Sequence, residues 1–291
     1  MHDCACADGL LFGLLATQLT DVNIILSPLG WVAILSPLSP LEHVVLLIVR
    51  SVLLAVSLLL AFIFGGLVCL LRPRHRDNVH MFAKIFSSVA PILGLKVIVR
   101  RHKEVQDGPY IFLGNHQNNF DLFTHTKAVP KSTVSLGKKS LVWIPLFGQI
   151  YWLSGNILID RKNRNSAFDT MAKTAEKIKQ NRLSVWIFPE GTRSRGRGLL
   201  PFKAGAFHTA LAAGVPIVPV LASCQSHINL NRWDNGVVII EMMAPIPTEG
   251  LDKADVKAFS VQVYETMSAK FNEINREAAT LMGKTLEGDD V

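Results

Sequence analysis

The sequence predicts an α/β fold, a mixed sheet flanked by helices, preceded by an N-terminal apolar membrane helix and an amphipathic helix. Two observations carry this prediction. From residue 95 onward, short apolar runs alternate with helix-like segments, and residues 44–71 form a long apolar stretch in which Arg50 is the only charge. Charged residues make up 18% of the chain, below the ~25% of soluble domains. This composition favours a globular domain with a membrane anchor.

Residues 1–43 are an apolar extension to which the sequence assigns no role. Pro28, Pro37 and Pro40 interrupt it, and no basic residue precedes its apolar part, in contrast to a secretory signal. We expect either a short segment at the membrane surface or an extension that arises from a translation start assigned too far upstream.

Residues 44–94 are the predicted membrane-anchoring segment. No charge occurs from Ser51 to Leu71, a run that reaches ~30 Å as a helix, the thickness of a bilayer core. The basic run at 72–76 favours a cytoplasmic location for the rest of the chain. A helix lying flat in the interface, with Arg50 reaching water, and a core helix are the alternatives. The apolar residues of the amphipathic helix follow at helical spacing: Phe82, Ile85, Phe86, Val89 and Leu93.

Residues 95–291 are predicted to form the main domain. The predicted strands are Leu95–Arg100, Tyr110–Leu113, Thr133–Leu136, Asn156–Ile159, Leu183–Phe188, Ile217–Leu221 and Val237–Met243. Helix-like segments lie at 119–128, 141–153, 163–181 and 204–213, and a final helix runs from Asp252 to Leu281. Active sites of such sheets lie beyond the C-terminal ends of the strands.

The charge of the chain indicates an anionic partner. The net charge is +7, and all 30 Lys and Arg residues lie at or after Arg50. Phosphate groups, nucleic acid and an anionic lipid surface are the candidates. The basic loop described below lacks the interleaved aromatic residues of a single-strand nucleic-acid platform, so we expect no nucleic-acid partner.

Several other chemistries lack their motifs in this sequence. The four cysteines form no CxxC pair, which argues against a disulfide scaffold or a zinc site and favours a reducing compartment. The chain has no GxSxG nucleophile elbow, P-loop, GxGxxG or HExxH pattern. We therefore expect no metal and no cofactor.

His116 and Asp121 form a candidate acid–base pair beyond the strand at 110–113. A histidine with one ring nitrogen held by a carboxylate presents the other nitrogen to a substrate. Positions five apart do not share one face of a straight helix, so the pair needs a turn, with Asn118 or Asn119 capping the next helix. A purely structural role for both residues is the alternative.

The loop that follows the strand at 183–188 is a candidate phosphate site. It contains Arg193, Arg195 and Arg197, and Lys203 lies just beyond it. Guanidinium groups bind phosphate oxygens in a bidentate manner, and so dense a cluster repels itself without an anion. A solvated basic loop is the alternative.

Two further segments carry candidate residues. The strand at 156–159 ends in Asp160 and Arg161, which form either a site at the catalytic edge or a surface ion pair. The segment Gly214–Val220 is apolar and contains two prolines. It is equally consistent with the lining of an acyl-chain site and with a buried strand.

Taken together, these segments resemble the glycerolipid acyltransferase family. The family's blocks N-H-x4-D, G-x-x-x-I-D-R, F-P-E-G-T-R-S and V-P-I-x-P occur here as Asn115–Asp121, Gly155–Arg161, Phe188–Ser194 and Val215–Pro219, in order. The resemblance covers residues 44–280 and identifies 95–291 as an acyltransferase catalytic domain. It implies transfer of an acyl group from acyl-CoA or acyl carrier protein to the sn-2 hydroxyl of lysophosphatidic acid. Two alternatives stay open. The acceptor is another lysophospholipid or glycerol 3-phosphate, or the protein is a non-catalytic binder of anionic lipids.

The resemblance also implies roles for individual residues. His116 is the general base on the acceptor hydroxyl, and Asp121 orients it. The residues it assigns to substrate binding are Asn115, Lys138, Arg161, Glu190, Gly191, Thr192, Arg193, Val215 and Pro216. Glu190 is expected to position an arginine or the glycerol, while Val215 and Pro216 are expected to face an acyl chain. Membrane lipids are further partners, and the expected location is the inner membrane, with the active site on the cytoplasmic face.

Overall fold

A computed structural model describes residues 40–160 and 163–283, and its centre is a seven-stranded mixed sheet. The strands are β1 (Lys96–Arg101), β2 (Ile111–Gly114), β3 (Thr133–Lys138), β4 (Ile157–Ile159), β5 (Ser184–Ile187), β6 (Ile217–Ala222) and β7 (Val237–Met242). Their order in the sheet is β1-β7-β6-β2-β5-β3-β4. The predicted α/β class is confirmed, and every predicted strand is present.

The helices also follow the sequence prediction, with two changes. They are α1 (Pro40–Leu71), α2 (Asn78–Ser87), α3 (Asp121–Thr124), α4 (Phe147–Leu153), α5 (Arg164–Asn181), α6 (Gly205–Ala213) and α7 (Val256–Leu281). The predicted helix at 119–128 is α3 followed by a 3-10 turn at His125–Ala128. The predicted helix at 141–153 is interrupted because Pro145 excludes Ile144 from the helical region, and Ile144 is extended at ψ 117°.

The strand directions bring the candidate residues to one edge of the sheet. Strands β2 to β6 are mutually parallel, while β7 runs antiparallel to β6 and parallel to β1. The C-terminal ends of β2, β3, β5 and β6 therefore meet at the same edge. Helices α5, α6 and α7 cover one face of the sheet. Helices α1, α2 and α3 lie on the other.

Helix α1 packs on the rest of the chain through a narrow stripe. Leu46, Arg50, Ala61 and Cys69 are buried on this stripe, and a Cβ on Gly65 would collide with the ring of Phe82. Most other residues of α1 are exposed and apolar. Leu41–Leu71 is long and apolar enough to cross a membrane, and only 17% of its apolar window is buried, which excludes an ordinary core helix. The division between anchoring segment and catalytic domain at residue 94 stays a prediction.

Arg50 fixes α1 to the loop before β7. Its guanidinium donates hydrogen bonds to the carbonyl oxygens of Leu230 (2.8 Å), Arg232 and Trp233 (2.7 Å). The side chain is buried, so it does not reach water as a free interfacial arginine would. Arg50, the only charged residue of the apolar stretch, therefore connects the anchor helix to the catalytic part of the chain through hydrogen bonds.

We expect Arg50→Leu to destabilise the protein, because it leaves three carbonyl oxygens without their donor. An unsatisfied buried group costs about 1–3 kcal/mol, so the thermal unfolding midpoint in detergent should fall by several degrees. Arg72→Leu is the matched control, since Arg72 is exposed at the end of α1. Equal midpoints for the two variants would contradict the assigned role of Arg50.

Candidate active site

The sheet edge carries a hydrogen-bonded pair of His116 and Asp121. His116 follows β2, Asp121 begins α3, and Nδ1 of the histidine lies 2.6 Å from Oδ2 of the carboxylate. The same Oδ2 accepts from the backbone N–H groups of Gln117 (2.7 Å) and Asn118 (3.1 Å). The side chain of Asn118 accepts from the N–H of Phe120 at 2.8 Å. This polar turn supplies the geometry that the five-residue spacing requires.

The contacts of Asp121 set the orientation of the histidine. Asp121 is buried, and its Oδ1 accepts from Nε2 of Gln225 at 2.8 Å. Because the carboxylate accepts at Nδ1 of His116, Nε2 of the neutral ring carries the free lone pair. His116 lines a cavity of about 960 Å³. A basic nitrogen thus faces a space large enough for a substrate.

Buried side chains hold both ends of the Asn115–His116 peptide group. His125 Nε2 donates to the carbonyl oxygen of Asn115 at 2.8 Å. The N–H of His116 donates to Oε1 of Glu190 at 2.6 Å. The Asn115 side chain bonds to the N–H and carbonyl of Ala222 at 2.8 and 3.0 Å. The backbone that carries His116 is therefore fixed by β6, by the loop after β5 and by the 3-10 turn after α3.

Aromatic packing fixes the His116 ring. The ring of Phe188 stacks on it with centroids 4.2 Å apart and an interplanar angle of 19°. His125 meets the same phenyl ring edge-on at 5.6 Å. Burial is the largest effect on His125 and lowers its pKa, and its Nδ1 has no hydrogen-bond partner among the described residues. A neutral His125 therefore helps to position the backbone at Asn115 and the ring of Phe188.

Glu190 contacts the backbone of the site. Its Oε2 accepts from the N–H of Leu200 at 3.0 Å, and its other oxygen holds His116. Only 3% of the residue is exposed, and burial raises its pKa to about 7. Glu190 is absent from the lining of the cavity. Its contacts indicate that it positions the end of β2 against the loop that follows β5. The expected positioning of an arginine or of the glycerol stays a prediction.

The raised pKa of Glu190 predicts a pH dependence of stability. A group with a folded pKa near 7 and an unfolded pKa near 4.5 stabilises the fold fully below pH 4.5 and loses that contribution as the pH rises through 7. We expect the unfolding midpoint of the wild type, relative to that of Glu190→Gln, to fall between pH 5 and about 8. Thermal unfolding of both proteins in the same detergent measures this difference. A difference in unfolding midpoint between the two proteins that stays constant with pH would contradict the raised pKa of Glu190.

The loop after β5 forms the basic end of the cavity. Ser194 and Arg195 donate backbone hydrogen bonds to the carbonyls of His116 (2.7 Å) and Gln117 (3.0 Å), which ties the loop to the pair. The cationic side chains that line this end are Lys138, Arg193, Arg195 and Lys203. Arg197 turns back and donates from Nε to the carbonyl of Ser194 at 2.8 Å. Thus two of the three loop arginines face the cavity.

Gly191 allows the loop to pass close to Lys203. Its φ of +70° lies in the left-handed region, and a Cβ at this position would lie 2.8 Å from Nζ of Lys203. Thr192 also lines the cavity. The structure therefore brings Lys138, Gly191, Thr192 and Arg193 to the same cavity as His116. Their binding of substrate stays a prediction.

The other end of the cavity is apolar and lies between the sheet and the first two helices. Its lining includes Phe62 of α1, Phe82 and Phe86 of α2, Leu136 of β3 and Ile150 of α4. The cavity thus joins a cationic end and an apolar arm, with His116 on its wall.

The structure does not bring Val215 and Pro216 to this site. The carbonyl of Pro216 accepts from the N–H of Ile111, the first residue of β2, at 3.1 Å. Val215 is buried, and its carbonyl accepts from Thr248. Because β6 runs parallel to β2, both residues lie at the sheet edge opposite His116. The expected contact of Val215 and Pro216 with an acyl chain is therefore corrected, and the apolar arm takes its place.

Some predicted residues lie outside the described part of the chain, and some residues of the site were not predicted from the sequence. Arg161 and residues 1–39 lie outside the described residues. The sequence did not indicate roles for His125, Phe188 or Gln225. These residues hold His116 and Asp121 in place through ring packing or through hydrogen bonds between residues far apart in the sequence. His125 stands four residues after Asp121, a spacing that places both on one side of a helical turn. Within 40–160 and 163–283, no three His, Cys, Asp or Glu side chains are grouped to hold a metal ion.

Known proteins match this chain in both sequence and fold. The acyltransferase family model matches residues 96–223. The 1-acyl-sn-glycerol-3-phosphate acyltransferase of Escherichia coli is 48% identical over 236 residues, which cover 80% of this chain and 96% of the relative. The chain belongs to this acyltransferase family. The enzyme of Haemophilus influenzae is 45% identical over 80% of the chain and 98% of its own length.

More distant members of the acyltransferase family share the same core. The human 1-acyl-sn-glycerol-3-phosphate acyltransferase alpha is 35% identical over 72% of this chain and 76% of its own length. The crystal structure of the 1-acyl-sn-glycerophosphate acyltransferase of Thermotoga maritima matches with a TM-score of 0.60 and 22% identity. The match covers 80% of this chain and 97% of the other. At that identity the likeness supports the fold alone.

Proposed function

We propose that this enzyme transfers an acyl group from a thioester to the sn-2 hydroxyl of 1-acyl-sn-glycerol 3-phosphate, which gives phosphatidic acid. Acyl-CoA and acyl carrier protein are the two donors the proposal allows. One observation carries it: His116 opens onto a cavity that has cationic side chains at one end and an apolar arm at the other. A lysophospholipid with a phosphate headgroup matches this arrangement, since its phosphate is anionic and its acyl chain is apolar. The close relatives are named for this substrate.

The chemistry follows from the orientation of His116. Its Nε2 removes the proton of the acceptor hydroxyl, whose oxygen attacks the thioester carbonyl carbon. The negative charge of Asp121 favours the imidazolium that forms. The tetrahedral intermediate then expels the thiolate, which takes the proton back from Nε2. General base catalysis contributes about 10²–10⁴-fold, and the rest comes from positioning both substrates and from stabilising the oxyanion.

The cationic end of the cavity fits the acceptor phosphate. Arg193 and Arg195 can bind phosphate oxygens in pairs, while Lys203 and Lys138 add point charges. The apolar arm beside Phe82 fits an acyl chain. The activated acyl group arrives with the thioester, so the proposed reaction needs no cofactor and no metal.

We expect Arg193→Ala to raise KM for lysophosphatidic acid by about tenfold or more, because a hydrogen bond to a charged group contributes about 1.5–3 kcal/mol. The effect on kcat should be smaller. Lys257→Ala on α7, which covers the other face of the sheet, is the charge-matched control. Steady-state kinetics in detergent measure both. An unchanged KM would remove Arg193 from the acceptor site.

The exposed surface supports a location at the membrane. Besides the exposed apolar side of α1, the chain exposes Trp143, Trp152 and Trp233, at 81%, 46% and 62%. Tryptophan is enriched where protein meets the membrane interface. Contacts at Arg50, in the first half of α1, and at Cys69, near its end, hold the helix against the rest of the chain. We therefore expect α1 to lie in the interface at the cytoplasmic face of the inner membrane, with membrane lipids as partners.

An acceptor panel tests the proposed function. The purified enzyme is given radiolabelled acyl-CoA, or the matching acyl carrier protein, with lysophosphatidic acid, lysophosphatidylcholine or glycerol 3-phosphate. We expect label in phosphatidic acid and little in the other products. Preferred labelling of lysophosphatidylcholine or glycerol 3-phosphate would reassign the acceptor. Binding of lysophosphatidic acid without product from either donor would support a non-catalytic lipid binder.

A further inference from the structure

A second, strongly basic cavity lies at the opposite edge of the sheet from His116. It has a volume of about 560 Å³, and its cationic lining is Arg74, Arg76 and Lys177, with His75 beside them. Val134, at the start of β3, and Ile157, the first residue of β4, form part of its apolar wall. The cavity therefore lies at the N-terminal ends of these strands. No cationic residue that the structure describes lines both this cavity and the catalytic cavity.

Among the residues that the structure describes, no acidic side chain neutralises the positive charges of this basic cavity, and none lines it. Over residues 40–160 and 163–283, the ion pairs found involve none of Arg74, Arg76 and Lys177. Burial, and then the charge of Arg74, lower the pKa of Lys177. Like charges that converge on one cavity favour an anionic ligand.

Arg74, which lines the cavity, has an uncommon backbone conformation. Its φ is +56°, in the left-handed region that non-glycine residues rarely adopt. Its N–H donates to the carbonyl of Leu153 at 2.8 Å. The guanidinium lies 5.2 Å from the centre of the Trp152 ring. Such strain persists where the surrounding structure enforces it, often at a binding site.

Arg74 brings the cavity close to exposed apolar residues at the end of α1. Leu70 and Leu71, at the end of α1, are 68% and 79% exposed, and Arg74 follows three residues later. The exposed ring of Trp152 lies next to the guanidinium of Arg74. A cationic cavity next to an apolar surface and a tryptophan matches the layered chemistry of a bilayer, in which phosphate groups lie just outside the hydrocarbon.

We propose that this basic cavity binds the phosphate-bearing headgroup of an anionic membrane lipid. The lipid is separate from the substrate in the catalytic cavity, and its acyl chains extend along the exposed end of α1. Arg50 already fixes α1 to the catalytic part of the chain. A lipid bound at the other end of α1 would therefore hold the catalytic cavity at a constant height on the membrane.

Vesicle binding by the full chain tests the proposal. The probes are vesicles of phosphatidylcholine alone and vesicles that also contain phosphatidylglycerol, with binding measured by flotation. We expect Lys177→Gln to weaken binding to the anionic vesicles about fivefold, the effect of one basic residue near an anionic surface. Binding to the neutral vesicles should be unchanged. No loss on the anionic vesicles, for Lys177→Gln and for Arg74→Gln with Lys177→Gln together, would overturn the proposal.

Two charge-matched variants separate a site from diffuse attraction. Arg72→Gln removes one charge from the same basic run but does not line the cavity. Lys257→Gln removes one charge from α7, which packs against β6 and β7 and does not line the cavity either. We expect each to lose less than half as much affinity for the anionic vesicles as Lys177→Gln does. Equal losses for Arg72→Gln and Lys177→Gln would show a diffuse basic surface. Arg74→Lys keeps the charge and should still weaken binding, since it loses the bidentate fork.

A competition arm separates a lipid from a soluble anion. Inorganic phosphate replaces chloride at equal ionic strength, and the preference for anionic vesicles should survive. Its complete loss would identify a site for soluble phosphate and overturn the lipid assignment. Lys177→Gln should keep wild-type acyl transfer and unfolding midpoint in neutral detergent. Because vesicle binding is measured without an acyl donor, its outcome does not depend on the proposed acyltransferase reaction.

Discussion

His116→Ala should reduce kcat for acyl transfer by about 10²–10⁴-fold, the contribution of a positioned general base. The reason is the free Nε2 of His116, which alanine cannot replace and which faces the cavity because Asp121 holds Nδ1 at 2.6 Å. KM for the acceptor should change little, since Arg193 and its neighbours stay in place. Steady-state rates of thiol release in detergent give both constants.

His208→Ala is the matched control for the removal of a histidine, because His208 lies on α6, which covers the other face of the sheet. We expect wild-type kinetics for this variant. A His116→Ala enzyme that keeps a tenth or more of wild-type kcat would contradict the role of His116 as the base. The unfolding midpoints of both variants show that any loss is not a loss of fold.

Asp121→Asn should lower kcat by about 10²–10⁴-fold while the protein stays folded. The substitution removes the negative charge that favours the imidazolium of His116. It keeps an oxygen that can accept from His116 Nδ1 and from the N–H groups of Gln117 and Asn118. Rotation of the Gln225 amide would turn its oxygen toward the new amide group, because Gln225 donates to Oδ1 of Asp121.

Circular dichroism and the unfolding midpoint separate the chemical effect of Asp121→Asn from a structural one. The control is Asp169→Asn, an exposed carboxylate on α5, for which we expect full activity. Wild-type kcat in Asp121→Asn would mean that the charge of Asp121 does not assist His116. A lost fold in this variant alone would make Asp121 a structural residue.

Local features of the site could be predicted from the sequence because they depend on neighbouring residues. The turn between His116 and Asp121 closes through backbone N–H groups and the Asn118 side chain, all within six positions. The strands carry apolar runs that any parallel sheet buries on both faces. The amphipathic helix places Phe82 and Phe86 on one side, and the structure buries both against α1.

Features that depend on register and distant contacts could not be predicted. Val215 and Pro216 stand next to β6, but only the parallel register of β6 with β2 shows that they lie at the far edge. Arg50 contacts Leu230, 180 positions away, so no local pattern could reveal its partners, and an arginine that reaches water at the interface was one of the alternatives. The apolar arm is assembled from α1, α2, β3 and α4, and no local pattern brings these residues together.

The most direct test of the central claim is the dependence of thiol release on the acceptor. Wild-type enzyme in detergent is given acyl-CoA, and acyl carrier protein in a parallel assay, with and without lysophosphatidic acid, and the lipid products are identified by mass spectrometry. We predict thiol release only when lysophosphatidic acid is present, with one phosphatidic acid formed per thiol. Equal release without acceptor, with free fatty acid as the product, would contradict acyl transfer and identify a thioesterase.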